Sequence, residues 1–212
     1  IIGSFYTYLI SENITETNPV LQIRQKSKFI RKQQNNNKIP CLSETQWKCL
    51  ISVTRKMADR NPQRHQRTFF IITAMYLMYL RISEFVANER WIPLMGHFYK
   101  DGKDNWWFTT VSKGNKQRQI TVSEDMLEAL KKWRHYLNLS SLPPPNDNLP
   151  LIPKHKGKGA VSSIRMLRQL IQECFDETTL ELEKAGEKDE AAIMERATVH
   201  WLRHTGISDD IN

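Results

Sequence analysis

The chain has 212 residues, of which 40% are hydrophobic, and its 31 lysine and arginine residues against 23 acidic ones give a net charge of +8. This length allows one full core and part of another domain, and the basic excess favours a polyanionic partner such as nucleic acid. Cys41, Cys49 and Cys174 are odd in number and lack C-x-x-C spacing, so the sequence supports neither a disulfide framework nor a zinc knuckle.

The first 38 residues are predicted to form the end of one domain and a linker. Apolar residues recur at helical spacing over Ser4 to Asn13, and Asn18-Pro19 then interrupts the pattern. Residues 24–38 contain six basic residues and no acidic one, which is typical of a solvated tether or of a strap along a phosphate backbone. The absence of acid favours the strap. Its candidate DNA-binding residues are Lys26, Lys28, Arg31 and Lys32.

These features divide the chain into three parts. We predict the end of a helical domain at 1–23, a basic linker at 24–38 and one main domain at 39–212. The chain begins with Ile-Ile and stops at Asp-Ile-Asn without a helix-ending signal, so we expect a piece of a longer protein. Reduced cysteines and the absence of a recognisable secretory leader favour a cytoplasmic location.

A long uncharged run followed by a single arginine is the central feature of the main domain. Phe69 to Leu80 carries no charge, which predicts a helix buried on nearly every side. The run is too short to cross a bilayer, which takes about 20 residues, so no membrane partner is expected. Arg81 and Glu84 follow on a shared face one turn later. A guanidinium beside a core requires a partner carboxylate or an anionic ligand.

The other elements predict an α+β fold that is mainly helical. Ser43 and Gln46 form a capping box for a helix to about Ala58, and Asn61-Pro62 breaks it. Residues 91–122 contain three strand-like runs separated by turn signals, which predicts a small three-stranded antiparallel sheet. Further predicted segments are a helix over Met126 to Leu137, a helix from Ser162 or Ser163 to about Thr178, and an acidic, solvated helical face over Glu181 to Glu195.

Two glycine-containing loops carry further candidate DNA-binding residues. One is the turn between the second and third predicted strands, and the other is the flexible loop that precedes the helix at Ser163. The basic residues concerned are Lys116 and Arg118 beside the first loop, and Lys154, Lys156 and Lys158 in the second.

The last informative stretch begins with Thr198, a predicted N-cap. His200 then falls in the first turn of a helix, where free amides and the helix dipole favour an anion, and Arg203 lies on the same face. His200 and His204 also have the spacing of the two histidines in H-E-x-x-H. Trp201 occupies the position of the metalloprotease base and no third ligand is evident, so we expect no metal.

Three motifs now resemble one family, the tyrosine recombinases or phage integrases. They are Arg81 in YLRISEF, Lys113 in SKGNKQR and the H-x-x-R of HWLRHT, which occur in the family's order around a helix, a hairpin and a second helix. The resemblance covers residues 38 to 212. It implies that 39–212 is a C-terminally incomplete catalytic domain and that 1–23 ends a core-binding domain.

The resemblance also implies a mechanism and a set of roles. In this family, two arginines hold the scissile phosphate, a lysine protonates the leaving 5′ oxygen and a histidine assists proton transfer. By motif, these residues are Arg81, Arg203, Lys113 and His200, with Glu84 and His204 in support. Lys116 competes with Lys113 as the acid. The implied activity is site-specific DNA strand exchange through a 3′-phosphotyrosyl intermediate, without cofactor or metal, as in DNA integration by phages and other mobile genetic elements.

One departure from the family concerns the nucleophile. All six tyrosines precede His200, whereas the family's nucleophilic tyrosine follows H-x-x-R. We therefore expect this chain alone to bind double-stranded DNA without cutting it, and the full-length protein to act with other recombinase subunits as a tetramer. The alternatives are a type IB topoisomerase-like enzyme and a noncatalytic DNA-binding regulator.

Overall fold

The computed structural model describes residues 2–26, 39–112 and 116–211. The chain forms two compact units, 1–39 and 40–212. The first unit contains helices α1 (Ile2–Ser11) and α2 (Pro19–Lys26). Asn18 joins them, because its side chain accepts a hydrogen bond from the Val20 N–H at 3.1 Å and donates one to the Gly3 carbonyl at 2.9 Å.

The basic linker predicted from Arg24 therefore begins inside a helix. Residues 24–26, including Lys26, form the end of α2. The remaining predicted strap residues Lys28, Arg31 and Lys32 lie outside the described residues.

The second unit is mainly helical and carries one small sheet, which confirms the predicted α+β class. Its helices are α3 (Glu44–Arg60), α4 (Pro62–Leu77), α5 (Glu124–Tyr136), α6 (Ile164–Lys184), α7 (Lys188–Met194) and α8 (Val199–Ile211). Its strands are β1 (Phe98–Lys100), β2 (Trp106–Ser112) and β3 (Lys116–Thr121), and two short 3₁₀ turns span Ile82–Phe85 and Met95–His97.

Helix α3 begins as its sequence predicts, but α4 begins earlier than expected. The Ser43 hydroxyl accepts from the Gln46 N–H at 3.2 Å while the Ser43 N–H donates to the Gln46 side chain at 2.9 Å, which completes the capping box. Asn61 ends α3 and caps α4, and Pro62 occupies the first turn, where a missing N–H costs nothing. The Asn61-Pro62 pair thus separates two consecutive helices, and α4 begins at Pro62 instead of near Phe69.

Helix α4 also ends before the arginine that it was predicted to carry. It stops at Leu77, and Tyr79 adopts a left-handed backbone conformation with φ of 53°. A residue in this conformation terminates a helix because the chain turns away from the helix axis. The prediction that Arg81 lies on the buried helix is therefore wrong: Arg81 stands at the start of the 3₁₀ turn that follows.

The sheet is an antiparallel meander in the order β1-β2-β3, as predicted. Phe98 of β1 pairs with Phe108 of β2, and Thr110 of β2 pairs with Arg118 of β3. Phe98 and Phe108 are buried, with ring centroids 4.4 Å apart. Because side chains alternate across a strand, Thr110 faces the same interior as Phe108.

Helix α4 lies at the centre of the core and packs against α3, α5, α6 and α8. Phe70 stacks on Trp133 of α5 with ring centroids 5.6 Å apart, and the Trp133 indole donates to the Leu151 carbonyl at 2.9 Å. Over the described ranges 2–26, 39–112 and 116–211, each helix is too short or too polar to cross a membrane.

Gly206 of α8 marks the closest approach between α8 and the end of α4. A Cβ built at Gly206 lies 2.1 Å from the Tyr76 carbonyl oxygen. We expect Gly206→Ala to lower the free energy of unfolding by at least about 2 kcal/mol, because the backbones must move apart. Gly102→Ala is the matched control: a Cβ there meets nothing within 4 Å, and its effect should stay within about 0.5 kcal/mol. Urea unfolding of both variants measures this, and equal losses would contradict the close contact.

Candidate active site

A buried carboxylate organises the candidate site. Glu84 is 2% exposed and lies in the 3₁₀ turn after α4. Its oxygens accept hydrogen bonds from the Arg81 N–H at 2.6 Å, the Thr110 hydroxyl at 3.2 Å and the Arg118 guanidinium at 3.1 and 3.2 Å. An ionised carboxylate is tolerated in a core when its lone pairs are satisfied in this way.

The partner of Glu84 differs from the one that the sequence indicates. Glu84 binds the backbone of Arg81, and its ion pair is with Arg118 of β3, whose side chain is 30% exposed. The predicted orientation of an arginine by Glu84 thus applies to Arg118. This ion pair fixes the 3₁₀ turn to the sheet. A direct contact of Arg118 with DNA stays a prediction.

Arg203 of α8 lies in the same neighbourhood. It is half-buried, and its guanidinium donates a hydrogen bond to the Tyr79 carbonyl, which the left-handed backbone of Tyr79 turns toward α8. The pKa of Arg203 is lowered, first by burial and then by repulsion from Arg81 and Arg118, while Glu84 opposes the shift. Three arginines from three separate elements are therefore close enough to act on one another electrostatically.

The guanidinium of Arg81 differs from those of its two neighbours. Arg203 donates to a carbonyl and Arg118 donates to a carboxylate, whereas no described residue supplies an acceptor to the side chain of Arg81. Arg81 is half-buried. Its donors are therefore available to an anion that enters the site.

The two histidines of the last helix lie on either side of Arg203. Helix α8 begins at Val199, directly after the predicted cap Thr198, and His200 is exposed in its first turn. His204 is half-buried, and its pKa is lowered by burial, with smaller contributions from Arg203 and His200. An exposed imidazole at a helix start can exchange protons with solvent, which suits a proton-transfer role.

The hydroxyls of two tyrosines near the arginines are already hydrogen-bonded to aspartates. The Tyr76 hydroxyl donates to Asp209 at 2.7 Å, and its pKa is raised by burial and by that carboxylate. Burial and a hydrogen bond to Asp210 raise the pKa of Tyr79 to about 12. A phenol with a raised pKa is a poor nucleophile at neutral pH because little phenolate forms.

The remaining predicted site residues fall in three places. Lys113, the predicted acid, lies outside the described residues, and Lys116 is exposed at the start of β3. Lys154, Lys156 and Lys158 are exposed on the loop before α6. Within the described ranges, no group of three or more His, Cys, Asp or Glu side chains is placed to hold a metal ion.

The Glu84–Arg118–Thr110 network was missed by sequence reasoning. A signal existed, because Thr110 and Arg118 are direct cross-strand partners in the predicted hairpin and must share one face of the sheet. What the hairpin pattern lacks is the third partner, since Glu84 reaches this face only through tertiary packing.

Comparison with known proteins supports one family. Over 133 residues, or 62% of this chain, the sequence is 34% identical to tyrosine recombinase XerD of Rickettsia prowazekii and covers 39% of that protein. Identity is 32% to tyrosine recombinase XerD of Rickettsia conorii and 33% to that of Rickettsia bellii, with 40% of each covered. The chain is similar to tyrosine recombinases over 62% of its length, and this similarity supports that family.

The chain spans about two fifths of the length of the relatives that it matches. No family model matches it. No solved structure matches it. The resemblance noted from Arg81, Lys113 and the H-x-x-R motif is confirmed at the level of the family.

The ion pair beneath the site leads to a stability prediction. Arg118→Gln leaves the Glu84 carboxylate buried without its cation, and we expect the free energy of unfolding to fall by about 3 kcal/mol. In Glu84→Gln/Arg118→Gln the two amides can bond to each other, so the double variant should lose at least about 1 kcal/mol less than the sum of the single variants.

An exposed ion pair provides the matched control for this cycle. Lys131 contacts Glu128 at 2.7 Å with side chains 37% and 57% exposed, and Lys131→Gln should change the free energy of unfolding by less than about 0.5 kcal/mol. Urea denaturation of the four variants measures both effects. Strict additivity at Glu84 and Arg118 would show that the two side chains do not stabilise each other.

Proposed function

We propose that the full-length protein cleaves and rejoins DNA strands at specific sites through a covalent 3′-phosphotyrosyl intermediate. The observation that carries the proposal is the convergence of Arg81, Arg118 and Arg203, from three elements distant in sequence, beside one buried carboxylate. Glu84 neutralises part of this positive charge. Among the described residues of this cluster, three guanidiniums are balanced by one carboxylate. A site with that excess favours an anionic ligand.

The chemistry of strand cleavage accounts for Arg81 and Arg203. Displacement at a phosphodiester places negative charge on the nonbridging oxygens, and a planar guanidinium matches two such oxygens with paired donors. In our proposal, Arg81 contributes guanidinium donors to which no described residue supplies an acceptor, while Arg203 is oriented through the Tyr79 carbonyl. Arg118 acts indirectly, because it holds Glu84 and thereby the backbone of Arg81.

Proton transfer is assigned to Lys113 and His200. Lys113 precedes Gly114 in the sequence between the second and third strands, and the family resemblance gives this lysine the role of general acid toward the 5′ oxygen. His200 is exposed at the start of α8, on the same helix face as Arg203. His204, with its lowered pKa, supports Arg203 as a neutral neighbour.

The partners follow from this chemistry. The proposed substrate is double-stranded DNA, and exchange of strands between two duplexes requires further subunits, as the family resemblance implies. Integration of phage or other mobile-element DNA stays a prediction from that resemblance.

A first test separates transition-state stabilisation from binding. Duplexes that the protein binds are selected from random sequence, labelled and nicked near the selected site. In the full-length protein, Arg203→Gln and Arg81→Gln should lower covalent complex formation by at least about a thousandfold, while duplex affinity falls by less than about tenfold. The reason is that each arginine is one of many phosphate contacts but a large part of the charge stabilisation during cleavage.

The same denaturing gel tests the 212-residue chain. Since its tyrosines all precede His200 and Tyr76 and Tyr79 are engaged by Asp209 and Asp210, we expect no covalent band from this chain alone. A band that disappears with Tyr76→Phe or Tyr79→Phe would show that one of them is the nucleophile. Equal losses of binding and cleavage in Arg203→Gln would assign that arginine a structural role.

A second test addresses the basic strap. If about six phosphates are neutralised, duplex affinity should fall about a thousandfold between roughly 50 and 200 mM salt. Replacing Lys28, Arg31 and Lys32 by Gln should make the log–log slope shallower by about 2.7, since each phosphate contact contributes about 0.9. Fluorescence anisotropy over a salt series measures the slope.

The control removes the same charge from another surface. Lys48, Lys131 and Lys184 are each paired with a glutamate on their own helix, and their triple Gln variant should leave the slope within about 0.5 of the original value. Equal changes in both triple variants would show that net charge, and no specific strap, determines the salt dependence.

A further inference from the structure

A second basic site lies at the opposite end of α4 from the candidate active site. A cavity of about 600 Å³ is bordered by the first turns of α4, the loop that carries Lys154 and Lys156, and the start of α6. Arg67, which lines it, precedes the end of α4 by ten residues, or about 15 Å along the helix. The cavity is therefore separate from the arginine cluster at Arg81.

Arg67 is the residue in this cavity that points to a ligand. The residue is only 8% exposed, and its side chain makes no hydrogen bond or ion pair with the described residues. Tyr136 acts on it electrostatically, and its nitrogen atoms are not fully buried, so they open onto the cavity that Arg67 lines. Arg64, one turn earlier on the same helix, is different: its Nε donates to Glu173 at 2.8 Å. Guanidinium donors that open onto a cavity can bind water and are available to an anion. Burial of the rest of the side chain also lowers the pKa of Arg67. An anion in the cavity would supply a charged acceptor in place of water.

The surroundings of Arg67 favour the same ligand. Ser163 caps α6, a helix of 21 residues, so the positive end of a long helix faces the cavity. Lys154 and Lys156 are exposed at its rim. Among the described residues that line the cavity, none is acidic. Three cations and a helix N-terminus without a carboxylate form a suitable site for a phosphate group.

The rest of the lining indicates that the phosphate carries an organic group. A volume of about 600 Å³ exceeds the need of a single phosphate and lies in the range of pockets for small organic ligands. Val161, Met166 and Leu170 provide an apolar wall beside the basic one. We propose that this cavity binds a nucleoside phosphate, either as a free nucleotide or as one unit of a DNA strand. This proposal does not depend on the cleavage mechanism at Arg81 and Arg203.

Calorimetric titration of the chain with adenosine monophosphate, inorganic phosphate and adenosine tests the proposal. We expect the monophosphate to bind at least tenfold more tightly than inorganic phosphate or adenosine, because it alone contacts both the basic and the apolar side of the cavity. Arg67→Gln should weaken it at least tenfold and Arg67→Lys by less. Arg60→Gln, which removes an exposed arginine outside the cavity, should have no effect. The absence of binding by the unchanged protein up to about 10 mM would overturn the proposal, since a built pocket should exceed millimolar affinity.

A second variant keeps the test decisive if Arg67→Gln does not fold. Lys154→Gln/Lys156→Gln alters only exposed loop side chains and should weaken the monophosphate at least threefold with an unchanged Tm. Unchanged affinity in that double variant, or in a folded Arg67→Gln variant, would overturn the proposal. So would loss of binding in Arg203→Gln with retention in Arg67→Gln, because the nucleotide would then occupy the arginine cluster.

Competition with duplex DNA distinguishes the two sources of the nucleotide. If a DNA strand supplies it, saturating duplex should displace the monophosphate and Arg67→Gln should also weaken duplex binding. If a free nucleotide is the ligand, the monophosphate should bind equally well with and without duplex. Both outcomes support the cavity as a nucleoside phosphate site, and neither depends on whether the full-length protein cleaves DNA.

Discussion

The buried carboxylate of Glu84 is the interaction on which the arrangement of the candidate site depends. It binds the backbone of Arg81, the hydroxyl of Thr110 and the guanidinium of Arg118, and so joins the turn after α4 to two strands. A carboxylate that is 2% exposed requires these donors, because a buried polar group without hydrogen-bond partners is costly. The sheet thus positions the start of the turn from which Arg81 projects.

The second constraint is the close contact between α8 and the end of α4. Gly206 permits the approach, and Arg203 then reaches the Tyr79 carbonyl. The buried Thr205 hydroxyl accepts from the Leu42 N–H at 2.8 Å, which fixes α8 to the segment before α3. Arg203 is therefore held by packing on both sides of its helix, and its distance from the turn of Arg81 follows from that packing.

The chain contains two arginine sites with opposite ways of tolerating buried charge. At the candidate active site, repulsion among the three guanidiniums is partly compensated by Glu84. In the cavity at the start of α4, no described carboxylate pairs with Arg67, and Arg64, one turn earlier, is bound to Glu173. The first arrangement is preformed without a ligand. In our proposal, the second is completed by an anion from outside.

Signals within a few adjacent residues determined much of the fold from sequence alone. The capping box at Ser43, the meander of β1 to β3 and the start of α8 after Thr198 depend on local backbone preferences, and the family follows from three short motifs. The bond between Glu84 and Arg118 joins residues 34 positions apart, and only the tertiary structure shows it. The end of α4 at Leu77 and the unpaired state of Arg67 were likewise decided by packing, because a charge finds its partner across the core and no local pattern encodes which side chains meet there.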